Sequence, residues 1–281
     1  MSFVPFGQDK FVTVHDIPLH YVEWGQPDRP ALLLLHGFQS NAHTWDTCSA
    51  AMAATYHVLA LDQRGHGDTG WAPGGDYTPA AFMRDIVGFI DTLRLAPVLL
   101  VGHSMGGRHV AMLAADYAAA VRKIVIVDTA AELPPAIQAQ FIQQPEANEP
   151  PPPETFATFE EVIANGMAQY PLTPEAELRH ANYHNLFRDT DGRWRWRWDP
   201  QLLMRRRSRG QVDLYGYLQR VQCPALLIRG EKSPLLTPEV ARKMLAALPH
   251  GQLHEIAAAA HTVNADNAAA FNTATAAFLA A

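Results

Sequence analysis

Cysteine is scarce in this chain: Cys48 and Cys223 are its two thiols in 281 residues. Two thiols give neither a disulfide framework nor a thiolate metal motif, and they suit a reducing compartment. No run approaches ~20 uninterrupted apolar residues, so no membrane span is expected. The opening Met1-Ser-Phe-Val-Pro-Phe-Gly7 has no basic segment followed by an apolar core, so no secretory signal is expected. Together these absences predict a cytoplasmic protein. Positive charge is also in short supply, with 22 Lys and Arg against 28 Asp and Glu, a net charge of −6. That balance, with an isoelectric point near 6.1, argues against nucleic acid as a partner. No internal repeat and no dinucleotide fingerprint are present, and no metal or cofactor is expected. What remains is a chain with 48% hydrophobic residues, long enough for one large α/β domain or a core with a small insert.

Short apolar runs recur along it, at Leu32–Leu35, Val58–Leu61, Val98–Val101, Ile124–Val127, Ala225–Ile228 and Leu253–Ile256. They alternate with helical patterns at Trp45–Ala54, Pro79–Leu95, Met105–Tyr117, Pro238–Leu248 and Asn264–Leu279. Phe11–His15 and Leu19–Gly25 read as an opening hairpin. Alternation of this kind predicts a mostly parallel sheet covered on both faces. Thr78-Pro79 and Thr237-Pro238 each read as an N-cap followed by proline at the first helical position.

Gly102-His103-Ser104-Met105-Gly106 lies between the apolar run Val98–Val101 and the helical stretch that follows. A G-x-S-x-G pattern in a strand–turn–helix context is a nucleophile elbow. The turn is tight enough to strain the serine and to demand small residues two before and two after it, and both are glycine here. A serine hydroxyl needs a base. His261 is the best placed of thirteen histidines, in a loop between the last strand and the last helix. His250 follows Pro249 in a turn, and His254 lies within the strand. His36-Gly37-Phe38 follows the run Leu32–Leu35, and Gly37 lets the next amide turn toward the site. The backbone N–H groups of Phe38 and Met105 are the expected oxyanion donors. His36 reads as a brace for that loop.

Together with Asp62-Gln-Arg-Gly-His-Gly67, the strand Val121–Asp128 and the strand Pro224–Gly230, these pieces resemble the α/β-hydrolase fold in its own order along nearly the whole chain. The resemblance implies an eight-stranded, mostly parallel sheet flanked by helices. It implies a core of residues 1–130 and 221–281, with a helical cap formed by residues 131–220. Asp62–Gly67 reads as a structural loop. The family usually carries its triad acid just after the strand Pro224–Gly230, where this chain has Ser233, which cannot supply a fixed negative charge. Some family members place the acid at the end of the neighbouring strand, which here points to Asp128. Glu231 and an acid-free dyad are the alternatives.

The alternation stops between Ala131 and Arg220. That stretch includes Pro145 and Pro150–Pro153, with helical pieces near Thr158–Gln169, Pro174–Leu186 and Gln201–Gln219. Its charge is divided. Residues 131–177 hold eight acids and no Lys or Arg, whereas residues 178–220 hold ten arginines and four acids. The arginines, including Arg205–Arg207, either pair with the acidic half or bind an anionic substrate group. Trp194, Trp196 and Trp198 alternate at period two and so share one face of an extended segment. Trp45, His103 and Trp194 are the candidate pocket residues.

The expected activity is hydrolysis of a small carboxylic ester or lactone. Ser104 would form the acyl-enzyme, His261 would serve as base, and Asp128 would orient it. Hydrolysis of a carbon–carbon bond in a diketone-type substrate is an alternative, as is a non-catalytic small-molecule binding protein on the same fold. Serine at position 104 disfavours relatives that use an aspartate nucleophile, such as epoxide hydrolases and haloalkane dehalogenases.

Overall fold

The structure is a computed structural model that describes residues 7–142, 154–204 and 212–281. The chain opens with the hairpin β1 (Gln8–Val14) and β2 (Ile17–Trp24), followed by β3 (Ala31–Leu35), α1 (Asp46–Met52), β4 (His57–Leu61) and α2 (Pro79–Thr92). Next come β5 (Val98–His103), α3 (Met105–Asp116) and β6 (Val121–Val127). An insert follows, with α4 (Pro135–Ile142), β7 (Thr155–Phe156), α5 (Phe159–Gln169), α6 (Glu175–Asn185), β8 (Leu186–Arg188), β9 (Trp194–Trp196), α7 (Gln201–Met204) and α8 (Leu214–Arg220). The chain then completes its main sheet with β10 (Ala225–Gly230), α9 (Pro238–Ala247), β11 (Gly251–Ile256), α10 (Val263–Asp266) and α11 (Ala268–Ala280).

Eight strands form one sheet in the order β1-β2-β4-β3-β5-β6-β10-β11. The opening hairpin and the β2–β4 pair are antiparallel, and the pairs from β4 to β11 are parallel. The unbroken apolar runs are explained by burial on both faces. Successive side chains point to opposite sides of a strand. Accordingly Leu33 and Leu35, Leu59 and Leu61, and Ile124 and Ile126 enter one core, beneath α2, α3, α8 and α9. Their neighbours Leu32 and Leu34, Val58 and Ala60, and Val125 and Val127 enter a second core, beneath α1 and α11.

Thr78 and Thr237 cap α2 and α9 as expected, accepting from the Ala81 and Val240 amides, with proline in the first turn of each helix. The single helix expected over Asn264–Leu279 is broken. Asn267 leaves helical backbone and caps α11, its side chain accepting from Ala270 N–H. Trp45 is fully buried in the second core, 6.0 Å from the Phe271 ring by centroids. It therefore does not line a pocket. An indole with no room for solvent beside the apolar face of α11 gains more from burial than from an open cleft.

The insert is not purely helical. β7, β9 and β8 form a small antiparallel sheet in that order, with Trp194–Trp196 as its central strand. The helix expected over Gln201–Gln219 is represented by α7 and α8, with Val212 and Asp213 outside helix. Arg205–Arg207, Pro145 and Pro150–Pro153 lie outside the described residues. Of the two roles weighed for the arginines, pairing across the halves of the insert occurs at Arg179, which bonds Glu160 at 2.5 and 2.8 Å and Glu175 at 2.7 Å. Arg195 instead pairs with Asp189 and Asp191, Arg197 with Asp68 of the core, and Arg220 with Asp116.

Candidate active site

The elbow follows directly from β5 running into α3. Ser104 lies at the junction with φ 52° and ψ −109°, in the left-handed half of backbone space that side chains avoid. A Cβ on Gly102 would overlap the Gly106 carbonyl, and one on Gly106 would overlap the Leu35 carbonyl. No larger residue fits at either place. The strained turn is pinned from β6: Ser104 N–H donates to Val127 O at 2.9 Å, and Thr129 Oγ1–H donates to Ser104 O at 2.9 Å.

Ser104 Oγ lies 3.1 Å from His261 Nε2, and His261 Nδ1 lies 2.7 Å from Asp128 Oδ2. Residues far apart in sequence thus form one hydrogen-bonded line from hydroxyl to imidazole to carboxylate. Asp128 is fully buried, one residue past the end of β6, with φ 43°. A buried carboxylate needs donors. Besides His261 it receives Gly230 N–H at 3.1 Å and Ser233 Oγ–H at 2.6 Å. Ser233, at the position where the family's acid usually stands, is therefore a donor to the carboxylate on the next strand. Its own oxygen accepts from the amides of Leu235 and Leu236 at 3.2 and 3.1 Å, which fixes its orientation. Glu231 turns away and accepts from Ala258 N–H at 2.9 Å.

The loop bearing His261 is tied down at several points. Lys232 N–H donates to Ala259 O at 2.8 Å, and Ala260 N–H donates to Asp266 Oδ2 at 2.7 Å. His103 Nε2–H donates to His261 O at 2.8 Å. Burial, reinforced by the neighbouring His261, pushes the His103 imidazole down to about 3, so its ring is neutral at ordinary pH. His103 is buried against the base loop, and its hydrogen bond to the His261 carbonyl ties that loop to the elbow.

On the other side of Ser104, the backbone at Gly37 passes so close that a Cβ there would lie 3.4 Å from Ser104 Cβ. This brings the Gly37-Phe38 turn beside the hydroxyl. Met105 begins α3, where first-turn amides have no intrahelical acceptor. The turn is braced by His36. Its Nε2 accepts from Gln63 N–H at 3.0 Å and its Nδ1–H donates to Gly37 O at 2.7 Å. Burial lowers the His36 pKa, consistent with this neutral tautomer. The Asp62–Gly67 loop serves the same frame. Asp62 accepts from the amides of Ala42 and Asp68 at 2.6 and 2.9 Å and from His20 Nδ1 at 2.7 Å. Arg64 makes a two-pronged buried bond to Asp85 at 2.6 and 2.7 Å.

Phe38 and Met105 pack in one apolar cluster with Tyr77, Phe82, Trp196, Trp198 and Leu202. Trp194 belongs elsewhere. It packs with Phe156, Val162, Leu186 and Phe159 inside the insert. Trp196 touches both clusters, and Trp198, just past the end of β9, joins the one with Phe38 and Met105. Ser233 and Gln63 were missed as members of the site. A hydroxyl at the vacated acid position was the signal for the first, and membership of the Asp62–Gly67 loop was the signal for the second.

A model of the alpha/beta hydrolase family matches residues 32–274, and the chain belongs to that family. It is a hydrolase. An esterase of Mycobacterium tuberculosis is 27% identical over 251 residues, covering 87% of this chain and 80% of that protein. The 3-oxoadipate enol-lactonase 2 of Acinetobacter baylyi is 26% identical over 265 residues, covering 93% and 92%. Among solved structures, an E-2-(acetamidomethylene)succinate hydrolase superposes with a TM-score of 0.88 at 26% identity, covering 98% of this chain and all of that one. Among the described residues no helix is long and apolar enough to cross a membrane.

Proposed function

We propose that the chain is a serine hydrolase of small carboxylic esters or lactones. The observation that carries this reading is the line Ser104–His261–Asp128, with separations of 3.1 and 2.7 Å. His261 Nε2 takes the hydroxyl proton as Ser104 Oγ attacks the carbonyl carbon. Asp128 holds Nδ1–H and stabilises the imidazolium. The tetrahedral oxyanion is received by the amides of Phe38 and Met105, donors worth on the order of 3 kcal/mol each. The imidazolium returns its proton to the leaving alkoxide. Water, deprotonated by the same nitrogen, then attacks the acyl carbon, and the imidazolium returns the proton to Ser104 Oγ as the acid leaves. No cofactor is needed for any of these steps.

The names of the relatives, an esterase and an enol-lactonase, support an oxygen ester as the scissile group. Residues 131–220 act as a cap. They bring Trp196 and Trp198 against Phe38 and Met105, which favours a substrate with a compact apolar part. A fluorophosphonate probe and p-nitrophenyl acetate test the reading together. The wild-type chain is expected to label at Ser104 and turn over the ester, with both lost in Ser104→Ala. Absence of labelling and of turnover in the wild type would refute it.

A further inference from the structure

Away from Ser104, the start of α1 and the insert meet through four side chains that the hydrolase chemistry does not use. His43, Asp46, His180 and His184 each offer a ligand atom, and all these atoms lie within 4.8 Å of one another. We infer that they form a binding site for a single divalent cation of the zinc class, which clasps α6 to the segment following β3.

The donor set is three imidazoles and one carboxylate. Such a set suits borderline transition-metal ions and not calcium or magnesium, which take oxygen ligands. His180 and His184 stand one turn apart on α6 and so share a face. His43 and Asp46 lie on the turn that opens α1. A tetrahedral zinc ion needs donor atoms about 3.3 Å apart, given metal–ligand bonds of about 2.0–2.1 Å, so side-chain rotations at the four residues close the sphere. The rings of His43 and His184 are stacked with centroids 3.6 Å apart, so one of them turns out of the stack for both in-plane lone pairs to meet one ion.

Two details favour a cation over a plain hydrogen-bond network. Asp46 Oδ2 takes bonds from His43 Nδ1 at 2.9 Å and His180 Nε2 at 2.8 Å, yet the buried Oδ1 has no partner among the described residues. On the far side of His43, Nε2 lies 3.4 Å from Asp9 Oδ1, the kind of outer carboxylate that orients a ligating imidazole. The His180 side chain is exposed and leaves a path for entry. The two ligand pairs lie far apart in the sequence, which is why no metal motif was expected. α6 also touches the segment after β3 through Asn41 to Ala181 O at 3.2 Å and Asn185 to Gln39 O at 2.8 Å. A cation here therefore fixes the insert to the segment that carries Phe38.

The test uses the full chain, free of affinity tag and stripped by a chelator, titrated with ZnCl2 in a calorimeter and with Co2+ in a spectrophotometer. We expect about one equivalent of Zn2+ per chain. We also expect a rise in Tm, tetrahedral Co2+ absorption bands, and no response to Mg2+. His180→Gln and His184→Gln should each weaken Zn2+ binding by more than about tenfold and abolish the rise in Tm, whereas His254→Gln, on an exposed strand, should change nothing. If His184→Gln loses its native circular dichroism, the exposed His180→Gln decides. Absence of saturable Zn2+ binding, or binding unaffected by these substitutions, overturns the inference. These readouts do not depend on esterase activity.

Discussion

The carboxylate behind His261 comes from β6, and a hydroxyl occupies the place usually filled by the acid. Asp128→Asn keeps the shape but favours the wrong imidazole tautomer. It should lower kcat by about 10⁴-fold in ester assays, with near-native Tm. Ser233 donates one of three hydrogen bonds that hold the Asp128 carboxylate. Ser233→Ala should cost about 1–2 kcal/mol in kcat/KM, seen as a roughly tenfold fall with little change in KM. Because Ser233 Oγ lies 2.6 Å from the oxygen that His261 uses, a carboxylate at 233 is also within reach of the ring. The exchange Asp128→Ser with Ser233→Asp should therefore recover at least part of the activity that Asp128→Asn loses. An inactive but folded double variant would show that the β6 geometry is essential. Ser104 was read from its elbow, His261 from the loop after the last strand, and Asp128 from the end of the strand beside the vacated acid position, and the structure brings the three together. The pocket residues were not legible, because lining a pocket depends on side-chain direction.

At the scale of elements, the elbow is strained at Ser104, and the loop after β4 is anchored to α2 by the buried Arg64–Asp85 pair. Gly106→Ala places a methyl group into the Leu35 carbonyl. That overlap should cost at least about 1–3 kcal/mol, read as a lower Tm, and should abolish labelling of Ser104 even where the chain still folds. Asp85→Ala would leave the Arg64 guanidinium buried without its partner. Removing one member of a buried pair should cost about 3–5 kcal/mol, measured by urea unfolding. The sheet was readable because Leu32–Leu35 and its counterparts are apolar on both faces, and that happens in buried parallel strands. The small sheet β7-β9-β8 was not readable. Its strands are two or three residues long and rest on aromatic contacts such as Phe156 with Trp196. The break at Asn267 was hidden by the alanines around it, Ala265 before and Ala268–Ala270 after.

For the molecule as a whole, the frame under the active site is held by charge that titrates. Burial opposes ionisation of Asp62, but the His20 hydrogen bond, the nearby imidazoles and the Asp68 amide outweigh it and hold its carboxyl below the usual range. Burial likewise opposes protonation of His20, and Asp62 outweighs it and raises that pKa. A depressed carboxylate contributes stability above its unfolded pKa of about 3.9 and loses it as pH falls. A raised imidazole contributes below about 6.5 and loses it as pH rises through the folded value. The gap in Tm between the wild type and Asp62→Asn should therefore be widest between about pH 4 and 6.5 and narrow on either side, as thermal melts across pH would show. The insert adds a second tie across the molecule. Thr173, between α5 and α6, lies 3.1 Å from Thr262, beside His261, and also bonds Asp266. The mostly parallel character of the large sheet was visible in the alternation of strand and helix, whereas these ties join residues that only the finished fold makes neighbours.

β6 and β10 are adjacent in the sheet, and their C-terminal ends set Asp128 against Ser233. Seen as a path through sequence space, the two placements of the acid are two substitutions apart and share one backbone. Each intermediate carries a handicap. One has aspartate at both sites, two carboxylates crowding a single half-buried imidazole, which forces one of them to keep its proton. The other has serine at both, and an imidazole with no counter-charge. The doubly acidic chain still holds one ionised partner for the base, so it is the passable route, and it fixes the order of change: the new acid arrives before the old one leaves.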